Sequence, residues 1–298
     1  MPRSTLILGF CCFALLAVTV FVGWRLYQPS SLRGSQQMVQ GANLDLGLPE
    51  ILSGPTNRTF SAGNVLLYDA AQERILFEQR GFERTPIASI TKLMTAMVAI
   101  DYGIDLNQEA NILASEYGLG GNLLLHKGET VRMGDLLAAS LVGSANNATK
   151  AYVRQLGVPE EEFIRQMNRK AIMLGLEQTE FVGVTGLKVG NTSTAFEVAK
   201  MATAAWQDYP MILELSSAHE YPLTVLGSGR SHVIRHTNKL VTPTARTFSS
   251  SKTGYLDEAG FCLVAQGDAA LGSLISVVLN APSEQVQYLE TQRLFAER

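Results

Sequence analysis

What this chain lacks narrows its chemistry first. It has three cysteines in 298 residues, and Cys11 and Cys12 fall in an N-terminal apolar run while Cys262 lies in a β-like apolar stretch. That placement argues against a structural disulfide, and with 46% hydrophobic residues the chain can bury a substantial core instead. Histidine is scarce as well. His232 and His236 are spaced as metal ligands can be, but they sit in a strand-like stretch, HVIRH, with no carboxylate pair beside them, so no metal site is expected. Excess charge is also missing: 24 Lys and Arg stand against 27 Asp and Glu, a formal net charge of -3 with no basic stripe. Nucleic acid is therefore not an expected partner. The length admits one large domain or two.

One long apolar run is present. Leu6 to Trp24 is uncharged over about 19 residues, enough to cross a hydrocarbon core of roughly 30 Å as a helix. It ends in Val22-Gly23-Trp24-Arg25 without a small-x-small cleavage site, so an uncleaved anchor over residues 1–27 is favoured over a signal peptide, with Trp24 and Tyr27 at the interface. Basic residues flank the run on both sides, so charge does not fix its orientation. Residues 28–59 are rich in Gly, Pro, Ser, Asn and Gln and read as a linker, on the order of 100 Å if fully extended. Leu44 to Leu52 is apolar enough to pack on a domain instead.

Three short elements carry chemistry. In Ser89-Ile90-Thr91-Lys92, where a helix is expected to begin, residues three apart share a face, so the Lys92 amine can reach the Ser89 hydroxyl. A serine becomes a good nucleophile when a base takes its proton, and a lysine serves if burial or a nearby cation lowers its pKa. An isolated Ser-x-x-Lys is also an ordinary polar helix start. Ser144-Ala145-Asn146 follows an apolar helical stretch, Met133 to Val142, and offers a second hydroxyl and a carboxamide. Lys252-Thr253-Gly254 reads as a strand bearing a cation, a hydroxyl and a residue without Cβ. The three in this order are far less ordinary than any one alone.

With these motifs the chain resembles the low-molecular-mass penicillin-binding proteins, the serine DD-peptidases of the D-alanyl-D-alanine carboxypeptidase and endopeptidase group. The resemblance runs over about residues 60–298, through PIASITKLMTA, SANNA, STAFEVAKMA, HTNKLV and KTGYLDEAGFCLV. Thr185-Gly186-Leu187, Tyr209-Pro210 and Leu215-Ser216-Ser217 look most like the endopeptidase branch. It implies an acyl-enzyme on Ser89, Lys92 as general base, and an oxyanion hole from the backbone N–H groups of Ser89 and Tyr255. It further implies Lys252 as a cation depressing the Lys92 pKa, Ser144 as proton relay to the leaving amine, and Asn146 orienting Lys92 and a substrate amide. Thr253 would bind the substrate carboxylate, and Gly254 would let an extended peptide lie along the strand. No cofactor is implied. The partners implied are peptidoglycan peptide stems and, as covalent inhibitors, β-lactams. The location implied is the extracytoplasmic face of the cell envelope.

The pattern along the chain gives an α+β class. Val65–Asp69 and Arg74–Phe77 read as strands. A helix begins near Ser89, and Glu109 to Gln178 is mostly helical, with a Gly-rich loop at Gly118–Asn122 and an amphipathic helix over Pro159–Leu174. Another helix covers Thr194–Trp206, strands return from Tyr221, and a helix follows Pro282. Early and late strands around a helical middle imply one mostly antiparallel sheet from both chain ends, flanked by helices, with an inserted helical subdomain: the penicillin-binding and β-lactamase-like transpeptidase fold that the resemblance also implies.

Two departures bear on specificity. Family members with strong carboxypeptidase character often carry arginine just before the asparagine of the HTNKLV-like block, where this chain has Thr237; a free carboxylate would then be held less strongly, or by Arg235 or Arg246. Ser249-Ser250-Ser251 stands where an apolar residue is more usual before Lys252, which leaves the local strand pairing open. A β-lactamase-like hydrolase is the nearest alternative, but no Glu-x-x-Leu-Asn loop occurs between Ser144 and Lys252. A non-catalytic penicillin-binding receptor is the other, yet none of Ser89, Lys92 and Lys252 is lost.

Overall fold

The strand β1 (Asn64–Asp69, NVLLYD) is buried at every position. Leu66 and Tyr68 face one core and Val65 and Leu67 another, as the two-residue period of a strand requires. A strand buried on both faces needs a covering layer on each side. In the computed structural model, which describes residues 59–242, 248–269 and 272–296, those layers are helices. The anchor, Arg246 and all of the linker but Thr59 lie outside the described residues. No helix among the described residues is long and apolar enough to cross a membrane.

The central sheet joins β1 to β2 (Arg74–Gln79), β9 (Phe248–Leu256), β10 (Gly260–Ala269) and β11 (Gly272–Ala281), in the order β2-β1-β11-β10-β9. Every pairing is antiparallel, and the two chain ends meet directly in β1 and β11, with Val65 opposite Val278. This is the sheet expected from the strand pattern. β9 is its edge.

Seven α-helices are described: α1 (Thr91–Asp101), α2 (Met133–Leu141), α3 (Asn146–Gln155), α4 (Glu160–Met173), α5 (Ala195–Gln207), α6 (Pro210–Ser217) and α7 (Glu284–Ala296). α4 begins with Glu160, Glu161 and Glu162 at the positive end of its dipole. The Thr194 hydroxyl caps α5 by accepting from the Glu197 N–H at 3.1 Å, and α6 opens on Pro210, whose fixed φ suits a first turn. One face of the sheet packs on α5 and the large helical core; the other packs on α7.

The middle of the chain is less purely helical than its pattern suggests. β4 (Glu109–Asn111) pairs with β5 (Thr130–Arg132), and β3 (Thr85–Pro86) with β6 (Thr192–Ser193). Strands of two or three residues are too short to show a period. Of the strands expected from Tyr221 on, the first two form a separate hairpin, β7 (Glu220–Thr224) with β8 (Ser231–Arg235), while the later ones are β9, β10 and β11 of the central sheet. Both hairpin strands expose every second residue and turn the others inward, Leu223 alone being fully buried, so they cannot fill a layer that is covered on both faces. The serine run before Lys252 does pair within β9, and its hydroxyls are engaged: Ser251 Oγ accepts from Asn238 Nδ2 at 2.9 Å, and Ser250 Oγ lies 3.1 Å from Ser217 Oγ.

Candidate active site

Strand parity places the residues of β9. Lys252 lies opposite Val264, whose side chain faces the helical core, whereas Thr253 lies opposite Leu263, on the α7 side. Adjacent residues of one motif thus serve two walls of a cleft of about 350 Å³ running along the β9 edge.

Ser89 differs in detail from the sequence expectation. It occupies a 3₁₀ turn, Ala88–Ile90, and the α-helix proper starts at Thr91. Ala88 has φ +46°, a left-handed conformation costly for a residue with a Cβ, and Ser144 has φ +55°. Close neighbours enforce the first. A Cβ on Gly254 would stand 2.9 Å from the Ser89 nitrogen, and one on Gly186 only 1.9 Å from the Ala88 oxygen. Two glycines therefore clamp the backbone at Ala88 and Ser89.

Lys92 is fully buried, with Nζ 2.7 Å from Ser89 Oγ, 2.8 Å from Asn146 Oδ1 and 2.8 Å from the Thr185 carbonyl. Asn146 Nδ2 donates to the Leu119 carbonyl at 3.0 Å, which turns Oδ1 toward Lys92. Asn146 and the Thr185 carbonyl can only accept at these contacts; Ser89 can also donate. A neutral amine has two N–H donors and one lone pair, so this arrangement satisfies it with the lone pair toward the Ser89 hydroxyl. Burial holds the Lys92 pKa well below the ordinary lysine value, and repulsion from Lys252 lowers it further. No salt bridge to Lys92 or Lys252 is found among the described residues.

Lys252 is equally buried, and burial pushes its pKa down to about 7. Its Nζ donates to Ser144 Oγ at 2.8 Å and to the Thr253 carbonyl at 3.1 Å. Lys92 thus has two causes lowering its pKa, burial and the neighbouring Lys252, where Lys252 has burial alone. Ser144, Asn146, Thr253, Gly254 and Tyr255 line the cleft with Ser89. Every site residue predicted from the sequence thus lies in one place.

Sequence reasoning missed three supports. The Thr185 carbonyl holds Lys92, and the loop carrying it is pinned by Thr95 Oγ1 to the Val184 carbonyl at 2.7 Å and by Asn191 Nδ2 to the Gly183 carbonyl at 2.7 Å. Asn147 fixes the Gly-rich loop through both the N–H and the carbonyl of Leu123, at 2.9 Å each. Only the Thr185-Gly186-Leu187 block and the SANNA motif gave a signal for these. Of the alternatives for a carboxylate clamp, Arg235 is exposed at the end of β8 and does not line the cleft. His236 is partly buried, with Nδ1 accepting from the Asn238 N–H at 2.9 Å and Nε2 3.2 Å from the Ser216 carbonyl. Burial and Lys252 push its pKa down to about 4, so it is neutral.

Comparison with known proteins agrees with this geometry. The D-alanyl-D-alanine carboxypeptidase family model matches residues 52–283. A D-alanyl-D-alanine endopeptidase of Pseudomonas aeruginosa is 30% identical over 242 residues, covering 80% of this chain and 78% of the relative. The carboxypeptidase DacF of Bacillus subtilis is 28% identical, covering 78% of this chain and 61% of the relative. Among solved structures, a penicillin-binding protein of Listeria monocytogenes in its ampicillin-bound form superposes with a TM-score of 0.71 at 26% identity, covering 80% of this chain and 98% of that one. The chain belongs to the D-alanyl-D-alanine carboxypeptidase family of serine DD-peptidases.

Proposed function

We propose that this family member cleaves D-alanyl peptide bonds of peptidoglycan through an acyl-enzyme on Ser89, with a preference for cross-links between stems. The observation that carries the reading is the placement of the buried Lys92, whose Nζ lies 2.7 Å from Ser89 Oγ and is held there by Asn146 Oδ1 and the Thr185 carbonyl. Lys92 takes the Ser89 proton as Oγ attacks the D-alanyl carbonyl carbon. The backbone N–H groups of Ser89 and Tyr255 receive the oxyanion. Ser144, held by Lys252, gives its proton to the departing amine and is refilled with the proton that Lys92 took, which leaves Lys92 neutral; Lys92 then takes a proton from water as it attacks the ester and returns it to Ser89 Oγ. Asn146 orients Lys92 and a substrate amide, Thr253 holds an oxygen of the substrate, and Gly254 admits the extended peptide along the edge of β9.

The preference for cross-links rests on three supports. Thr185-Gly186-Leu187 lies at the cleft in the form seen in the endopeptidase branch. Thr237 puts a neutral hydroxyl where a cation would clamp a free carboxylate. The endopeptidase of P. aeruginosa is matched over 78% of its length, against 61% for DacF. The penicillin-binding protein of L. monocytogenes, solved in ampicillin-bound and in cefotaxime-bound form, supports β-lactams as inhibitors that acylate this site. Residues 1–27 would tether the domain to the membrane through the linker 28–59 and expose it to the cell wall.

Incubation with benzylpenicillin should add one drug mass to the peptide containing Ser89, and Ser89→Ala should abolish that labelling. Muropeptide dimers and pentapeptide monomers, supplied side by side, should both be consumed, the dimers at least as fast. Release of free D-alanine with dimers left intact would make the enzyme a carboxypeptidase and refute the cross-link preference.

A further inference from the structure

The catalytic reading uses the wall of the cleft formed by Ser89, Lys92, Ser144 and Asn146. On the α7 wall it uses Thr253 and Thr237 but leaves open what holds them in place. Strand parity sends the Thr253 side chain to that second wall, where its Oγ1 lies 2.6 Å from Thr237 Oγ1. Two hydroxyls at this distance share one proton and leave the other free. If Thr237 donates to Thr253, the Thr253 proton is available to the cleft, and the pair presents a donor to an acceptor oxygen. If the direction is reversed, the free proton belongs to Thr237 and Thr253 turns a lone pair outward. The placement of Thr237 therefore decides what Thr253 offers to a substrate.

Thr237 is held from behind. The Tyr288 hydroxyl lies 3.1 Å from the Thr237 carbonyl and 3.3 Å from Glu284 Oε1, so it has two acceptors and one proton. The carboxylate of Glu284 is already engaged, since its Oε2 accepts from Lys239 Nζ at 2.6 Å. That leaves the shorter contact, to Thr237, as the better one. Burial pushes the Tyr288 pKa up to about 12, so the phenol keeps its proton at any working pH. The helix itself is fixed: Phe295, one end of α7, packs edge-on against Phe248 at the start of β9, with ring centroids 5.1 Å apart. Tyr288 is thus mounted on the sheet that carries Thr253.

We propose that Tyr288 is a positioning residue of the substrate site, holding the Thr237 backbone so that the Thr237 hydroxyl stays within hydrogen-bond distance of Thr253 and the pair presents its one free O–H to a substrate oxygen. The chemistry selected is an acceptor oxygen, whether of a carboxylate or of an amide carbonyl. A neutral hydroxyl pair serves both alike, whereas a cationic clamp would favour the carboxylate. This deepens the proposed function and rests on its assignment of Thr253 to substrate binding.

The test uses the full chain with a stem peptide ending in D-alanyl-D-alanine. Thr237→Val removes the hydroxyl at nearly constant shape and should raise KM about five-fold, the loss of one neutral hydrogen bond, with kcat within two-fold. Thr237→Ser should restore the wild-type KM. Tyr288→Phe should raise KM about three-fold, and the double variant Thr237→Val/Tyr288→Phe should be no worse than Thr237→Val alone, because the two residues act in series. Thr237→Val and Thr237→Ser keep the idea testable should Tyr288→Phe lower the thermal midpoint. A KM unmoved by Tyr288→Phe or by Thr237→Val, additive losses in the double variant, or a fall in kcat with KM constant would each overturn the proposal. The proposed function fails separately, if the wild-type chain neither turns over the peptide nor is labelled at Ser89.

Discussion

Gly186→Ala should cripple acylation while touching no catalytic side chain. A Cβ at this position would stand 1.9 Å from the Ala88 carbonyl oxygen, 2.4 Å from its carbon and 2.9 Å from the Ser89 nitrogen. Real Cβ atoms essentially never come within 3.0 Å of such atoms, so the approach must open by about 1 Å. The 183–185 loop is not free to retreat, because Thr95 and Asn191 hold the carbonyls of Val184 and Gly183, and Lys92 holds that of Thr185. Displacement therefore falls on Ala88 and Ser89 or breaks the Thr185 contact to Lys92. A misplacement of about 1 Å at a reacting group costs on the order of 100-fold, or about 2.7 kcal/mol of barrier. Alanine at φ +85° adds about 1–2 kcal/mol of conformational destabilisation. The rate of benzylpenicillin labelling at Ser89 and the thermal midpoint report the two effects separately. Gly157→Ala is the control: its φ is +71° and nothing lies within 4 Å of the added Cβ, so it should lose stability and keep its acylation rate. Labelling of Gly186→Ala within three-fold of wild type would refute the clamp.

Replacing Lys252 by methionine removes the nearby cation, which raises the Lys92 pKa; acylation needs neutral Lys92, so the acidic limb of its pH profile should move to higher pH, and an unmoved limb would mean that the lysines do not couple. The same variant should melt above wild type near pH 6, with the gap narrowing as pH rises. The sign follows from Lys252 titrating near 7 when folded and near 10.5 when unfolded, so between those values the unfolded chain binds more protons and wild-type stability climbs with pH. Asn191→Ala strips fully buried partners from Val182, Gly183 and Thr91 and should cost about 2–3 kcal/mol, read as a lower denaturant midpoint together with slower acylation.

The residues of the candidate site were legible because their chemistry is carried by side chains at short spacing. Ser89 and Lys92 meet through one helical turn, and Lys252, Thr253 and Gly254 are consecutive on one strand. What stayed hidden is what backbone atoms and distant segments contribute. A carbonyl has no sequence signature, so the third partner of Lys92 at Thr185 could not be read, nor could the 3₁₀ geometry at Ala88 that two distant glycines impose. The opposite facing of Lys252 and Thr253 follows from strand period alone, but which face meets α3 and which meets α7 depends on β9 pairing with β10. The buried lysines show why such a site resists prediction from propensity. Two amines placed without a carboxylate partner are a local conflict in a sequence otherwise consistent with its fold. Burial disfavours charge on both, and repulsion from Lys252 adds to it at Lys92. The lowered Lys92 pKa favours the neutral amine that the proposed mechanism needs to take the Ser89 proton, so the same desolvation that destabilises the domain at low pH would supply the base.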